Sequence, residues 1–228
     1  MGLLDLNWLS SKDRALSRNE TAIRLIVPPA MVGVYYLFCW SVLPPEQFLI
    51  LGGLIIAYYI PPSGKESLIP VGIALGIPWY LMAATLAILD VITSLFIIAN
   101  LPLVLKVPRL GPWISRFLAS GEGFMAERPW IARWRILGVA FFVFLPLQGT
   151  GGVGATLVGM MVGLSPGAIL LALAIGGSAE ALLFAIGSEI IWNLILSNLF
   201  LGLAAAFSVI LSAVFIYVVF LRRTGTGR

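Results

Sequence analysis

The sequence predicts an all-α polytopic membrane protein, built as an inverted repeat with two re-entrant helical hairpins and about four full transmembrane helices. Three observations lead there. About 60% of the 228 residues are apolar and only 11% are charged, against about 45–50% and about 25% in a soluble domain. A soluble globule of this size could not hide so much apolar surface. The apolar runs also fall into two length classes, long enough to cross a bilayer and about half that. Finally, the pattern of short runs, polar break and long run with one buried carboxylate occurs twice.

The first 21 residues mix Lys12, Arg14 and Arg18 with Asp5, Asp13 and Glu20. They lack the order of a signal peptide. Leu4, Trp8 and Leu9 fit a short interfacial helix, and a loose polar tail fits as well. The first half covers 22–105. Ala22 to Leu43 can span about 30 Å of hydrocarbon, with a kink expected at Pro28-Pro29. After Pro44-Pro45-Glu46, Gln47 to Ile60 offers only 14 mostly apolar residues, about 21 Å of helix. Pro61-Pro62-Ser63-Gly64-Lys65-Glu66 interrupts it, and Leu68 to Ile77 is a second short piece ending at Pro78. Two half-length pieces around a polar turn predict a re-entrant hairpin over 47–77. Trp79 to Leu105 is a full span carrying Asp90 near its middle.

Residues 106–135 form the basic loop, with Lys106, Arg109, Arg116, Arg128, Arg133 and Arg135 against Glu122 and Glu127. Trp113, Trp130 and Trp134 fit an interface belt. The second half covers 136–221. Ile136 to Leu145 and Ala155 to Leu164 are short pieces around a glycine-rich break, predicting a second hairpin over 136–164. Ala168 to Ser188 is a full span containing Glu180, Glu189 to Asn198 reads as a polar-studded join, and Leu199 to Leu221 is the last span. The tail 222–228 opens with Arg222-Arg223.

The basic residues set the orientation. The N-terminal tail, the 106–135 loop and the C-terminal tail should all be cytoplasmic. Counting each short piece as a span preserves the same parity; their length argues instead for hairpins that do not cross.

Gly72-Ile-Ala-Leu-Gly76-Ile-Pro78 resembles Gly159-Met-Met-Val-Gly163-Leu-Ser-Pro166 at an offset of 87, which also sets Gly64 on Gly151. With one hairpin from each face, this predicts an inverted repeat, a common design of secondary transporters. Small residues also recur in any membrane helix.

The absence of histidine excludes histidine metal sites and imidazole catalysis. The single cysteine, Cys39, excludes an intrachain disulfide and reads as a packing residue. No cofactor is expected. At the first hairpin tip, Ser63, Lys65 and Glu66 are candidate substrate-binding residues, and the adjacent Lys65 and Glu66 could partly neutralise each other. A charge at membrane depth costs at least about 2.5–3.5 kcal/mol, which points to a polar vestibule; a shallower tip would make the pair interfacial. At the second tip, Gln148, Gly149, Thr150, Gly151 and Gly152 offer a glycine-rich backbone whose N–H groups suit an anion or a carboxylate. Glycine for close contact between tips is the structural alternative. Asp90 and Glu180, deep in their spans, are candidate proton carriers together with Glu66; a structural hydrogen bond between helices is the other reading.

Lys65-Glu66-Ser-Leu-Ile-Pro70-Val-Gly72-Ile-Ala-Leu-Gly76 and Phe144-Leu-Pro146-Leu-Gln-Gly149-Thr150-Gly151-Gly152-Val-Gly154 resemble the small multidrug export protein family of bacteria and archaea, over roughly residues 60–190. The resemblance implies transport. The architecture also resembles the DedA superfamily, whose two re-entrant hairpins meet at the membrane centre and whose members are associated with moving lipid phosphates or lipids. Where that group typically has arginines in the second hairpin, this chain has Gln148 and Thr150.

These readings converge on a secondary transporter, proton-coupled, moving a small amphipathic or anionic substrate between the two hairpin tips. The alternative is a lipid or polyprenyl-phosphate translocase without ion coupling. An intramembrane enzyme lacks a motif here, and no nucleotide motif supports ATP-driven transport. Expected partners are membrane lipids, protons and the small-molecule or lipid-phosphate substrate, with no nucleic acid; a homodimer is compatible with the pattern. The expected location is the plasma membrane of a prokaryote.

Overall fold

The computed structural model describes residues 18–60, 63–108, 111–118, 134–145 and 150–225. Among them are nine helices and no strand: α1 Arg18–Trp40, α2 Pro45–Tyr58, α3 Lys65–Ala74, α4 Trp79–Val104, α5 over 111–118, α6 Arg135–Phe144, α7 Gly152–Met161, α8 Pro166–Ser197 and α9 Leu199–Gly225. The expected features of the tail over 1–17, of 119–133 in the basic loop and of Pro146, Gln148 and Gly149 lie outside the described residues.

Run length sorts these helices as the apolar pattern predicts. Asn19–Trp40, Trp79–Val104 and Pro166–Ser197 are long and apolar enough to cross a membrane. The fourth expected span is helical as α9, but its described apolar stretch, Leu199–Ser212, is shorter than a span. α2, α3, α6 and α7 have 14, 10, 10 and 10 residues. α1 runs through both Pro28 and Pro29.

Two boundaries differ from the expected ones. The join over Glu189 to Asn198 is not a break: α8 continues to Ser197. Its polar residues are compatible with helix because Asn193 Nδ2 donates to Glu189 Oε1 one turn back, at 3.3 Å on an exposed face. The chain breaks only at Asn198, whose Oδ1 accepts from Leu201 N at 3.2 Å and so caps α9. The other difference is that α3 starts at Lys65, three residues before the expected start. Gly64 is its N-cap, and Ser67 Oγ accepts from Gly64 N at 3.3 Å and donates to Gly64 O at 2.9 Å. Lys65 and Glu66 are therefore the first helical residues rather than part of the turn.

The offset of 87 extends to the helix boundaries. α3 and α7 are both ten residues long, with N-caps at Gly64 and Gly151 and C-caps at Leu75 and Val162. Each ends on a left-handed glycine, Gly76 at φ 88° and Gly163 at φ 72°. The closing bonds correspond too, Ile77 N to Gly72 O and Leu164 N to Gly159 O, as in a Schellman cap. Pro78 and Ser165, again 87 apart, are the N-caps of α4 and α8.

α4 and α8 pack along each other and form the axis of the molecule; α1 and α7 pack on α4, α6 and α9 on α8, and α3 on both. Two apolar cores result. One joins Met82, Leu86 and Leu89 of α4 to Leu51, Ile69 and the α8 residues Ala181 and Ala185. The other joins Ile98 and Leu101 of α4 to Val143, Met160 and the α8 residues Ile169 and Leu173. The first half of α4 thus shares a core with the second half of α8, so the two run antiparallel. Asp90 and Glu180 fall where one core gives way to the other.

Candidate functional site

Five segments converge at that junction. Asp90 and Glu180 lie near the middles of α4 and α8, and Lys65 at the start of α3 reaches between them. The three are 1%, 0% and 3% exposed respectively, so their charges have only one another and nearby dipoles for solvation. Lys65 Nζ donates to Asp90 Oδ2 at 2.8 Å and forms an ion pair with Glu180 Oε2. Lys65 therefore pairs with two carboxylates from distant helices, not with its neighbour Glu66 as the sequence suggests.

Asp90 is the better satisfied of the two acids. Its Oδ1 accepts from Tyr58 Oη at 2.5 Å, at the end of α2, and from Gly152 N at 2.8 Å. Gly152 N is one of the amides that the first turn of a helix leaves without an internal partner, and the positive end of α7 favours a carboxylate there. The glycine-rich segment thus presents its N–H to a carboxylate of the chain itself. Glu180 has less: Oε2 faces Lys65, and Oε1 has no hydrogen-bond partner among the described residues.

Close backbone approach makes this contact feasible. A Cβ on Gly152 would run into the Asp90 carbonyl oxygen and lie 2.9 Å from Thr93 Cβ. Neither can yield without moving α4. Gly152→Ala should therefore push α7 away from α4, break the Gly152–Asp90 bond and destabilise the fold by about 1–3 kcal/mol. Gly53→Ala, where an added Cβ meets nothing within 4 Å, is the matched control. Unfolding by titration with a denaturing detergent compares them; equal curves would show that α7 does not depend on this approach.

The remaining candidates sit around the cluster. Thr150 is buried and its Oγ1 donates to Leu145 O at 3.1 Å, which ties the segment before α7 to the end of α6. Gly151 caps α7 beside Asp90. Thr156, one turn into α7, bridges Ser94 Oγ at 2.6 Å and Gly152 O at 2.5 Å, fastening α7 to α4. Ser63 and Glu66 are half-buried at the entry to α3. Gln148 and Gly149 lie outside the described residues. Tyr58 is absent from the sequence reading. Its position seven residues before Lys65, at the end of a short apolar run, is the signal that could have found it.

Beside the cluster, an apolar groove of about 610 Å³ runs between α1, α2, α4 and α7. Its lining includes Tyr59, Thr93 and Val153, each within one turn of a residue that builds the cluster: Tyr58, Asp90 and Gly152. A second groove, about 750 Å³, lies between α1, α4 and α8.

Residues 67–183 match a family model described as "Putative small multi-drug export protein". No curated protein and no solved structure matches the chain. The matched region contains Asp90, Gly152 and Glu180 and begins two residues after Lys65.

Proposed function

The chain belongs to the small multi-drug export protein family, and from that premise we propose that it is a secondary transporter coupled to protons, with its site at the Lys65–Asp90–Glu180 cluster. One observation carries the reading. Two carboxylates share a single ammonium, all three buried, halfway along two helices that are long enough to span a membrane. Buried ionisable groups at that depth are expensive and are characteristic of proton relays and substrate pathways. Asp90 already accepts from three donors. Glu180, with one cation and a free oxygen among the described residues, is the group that takes up and gives back the proton.

In this proposal α2 with α3, and α6 with α7, are re-entrant hairpins entering from opposite faces, since each helix spans at most about 21 Å of an about 30 Å core. The offset of 87 in caps and lengths supports an inverted repeat, and hairpin tips meeting at the cluster would let each face reach it in turn. The membrane is the plasma membrane of a prokaryote, with both termini and the 106–135 loop cytoplasmic. That topology puts Glu46, exposed at the start of α2, outside. In a Cys39→Ser background, Glu46→Cys should react with an impermeant thiol reagent on intact cells. A silent Glu46→Cys alongside a reactive cysteine in the 106–135 loop would invert the topology.

Purified protein in liposomes tests the coupling. An imposed pH gradient should drive uptake of a transported amphipathic probe, and the probe's own gradient should drive proton flux. Transport indifferent to the pH gradient would overturn proton coupling.

A further inference from the structure

The charge count of the cluster points to the kind of substrate it exchanges. With both carboxyls ionised, Lys65, Asp90 and Glu180 carry one net negative charge inside an apolar junction. Such a charge is costly in low dielectric and is removed in one of two ways, by a proton or by one positive charge placed nearby. An anion would double the cost, and the one ammonium in reach is already engaged by two acids. The other groups facing Glu180 supply no further cation. α2 contributes Tyr58, bonded to Asp90, and α3 contributes Glu66, a further acid. α6 brings only Arg135, which donates to Gly163 O at 3.3 Å; α7 and the described side chains of α9 carry no titratable group.

The groove beside the cluster supplies the rest. Of its lining side chains only Tyr59 and Thr93 carry a polar atom, and Tyr59 and Phe96 offer aromatic rings of the kind that attract cations. Thr93 is one turn along α4 from Asp90. Tyr59 and Ile56 at its rim are 48% and 65% exposed, so the groove opens sideways, toward lipid in a membrane. Its volume, about 610 Å³, lies within the about 300–1,000 Å³ of small-molecule sites.

We propose that this groove binds the apolar body of a monovalent lipophilic cation, and that the cation exchanges for one proton at the Lys65–Asp90–Glu180 cluster. The inference rests on the proton-coupled reading above and specifies its substrate class. When the cation enters from the membrane, the Glu180 carboxyl releases its proton to water on the side then open. When the cation leaves, a proton returns. No covalent bond of the substrate changes, and each half-cycle ends with the cluster and its occupant neutral together.

Tetraphenylphosphonium and tetraphenylborate, alike in shape and opposite in charge, test it on the purified full chain in detergent. Binding of tetraphenylphosphonium should release about one proton, read with a dye in weak buffer, and its affinity should rise about tenfold per pH unit while the carboxyl is protonated. Glu180→Gln should abolish both the proton release and the pH dependence. Val153→Trp, at a half-exposed position in the groove, should weaken binding at least about tenfold, the equivalent of about 1.4 kcal/mol, and its placement outside the packed core preserves the fold. Tetraphenylborate should bind without releasing protons, and only as weakly as it does to Val153→Trp. Cation binding that releases no proton, or that is unaffected by Val153→Trp, would overturn the proposal. Specific tetraphenylborate binding with proton uptake would overturn the cation assignment while leaving proton coupling standing. If neither ion exchanged with protons here, and no probe drove proton flux in liposomes, both readings would fall.

Discussion

Lys65→Met should destabilise the protein by about 3–5 kcal/mol, the usual cost of removing one member of a buried ionic group. The side chain that is lost is 3% exposed and is the one cation that meets either Asp90 or Glu180 among the described residues. Methionine fills a similar volume, so the loss would be electrostatic rather than a cavity. Two buried acids would then face each other without an ammonium between them. Neutralising them should recover most of the loss: the triple variant Lys65→Met, Asp90→Asn, Glu180→Gln removes the repulsion, and buried ionic groups replaced together by neutral ones are often tolerated. Titration into a denaturing detergent, followed by intrinsic fluorescence, gives the free energies. A single variant within about 1 kcal/mol of wild type would mean that the cluster does not hold α3 to α4 and α8.

The second large effect is on flux. Asp90→Asn and Glu180→Gln should each reduce substrate-driven proton flux in liposomes by at least about a hundredfold, the lower range for loss of a positioned proton-transfer group. Both amides are nearly isosteric with the acids. At position 90 the amide oxygen can still accept from Tyr58 Oη and Gly152 N, which lie 2.5 and 2.8 Å away. A structural role should therefore survive at a cost of about 1 kcal/mol, whereas the exchange should not: Glu180→Gln removes the titrating carboxyl, and Asp90→Asn leaves Lys65 and Glu180 a neutral pair with no net charge for a proton to cancel. Glu180→Asp retains a titratable proton and should retain pH-dependent flux. Wild-type proton flux from both amide variants would make the two acids structural and move the coupling to Glu66.

Much of the helical frame is legible in the sequence because hydropathy and length are enough for it. Proline and glycine mark the ends of α2, α3, α7 and the starts of α4 and α8, and each long run contains one isolated carboxylate. What the sequence hides is partnership. Lys65 stands next to Glu66, and local reading pairs them. In the folded chain, the start of α3 points Lys65 into the gap between α4 and α8, where two acids with no other cation among the described residues compete for it. The glycine-rich segment is legible as an acceptor of negative charge, but not that the charge is Asp90. Tyr58 is hidden for a related reason: at the end of an apolar run a tyrosine looks like any other amphipathic ring until the bond from Oη to Asp90 appears. The apparent break over Glu189 to Asn198 misleads because its polar composition resembles that of a loop. Their spacing, with Glu189 and Asn193 one turn apart on an exposed face, is helical.

The offset of 87 pairs the caps of the two halves but not their charges. Counting forward from Lys65 and Asp90 reaches Gly152 and Gly177; counting back from Glu180 reaches Thr93. Every ionic member of the cluster therefore stands opposite an uncharged residue in the other half, although the caps, helix lengths and left-handed glycines correspond. On the proposed repeat, two copies of either half as it now stands would not build the cluster. Two first halves would place two lysines and two aspartates at the junction without the Glu180 carboxylate, and two second halves would place two copies of Glu180 there without an ammonium. The frame is common to the two halves and the charges are not, so each half depends on the other for its partners and only the joined chain carries the complete set.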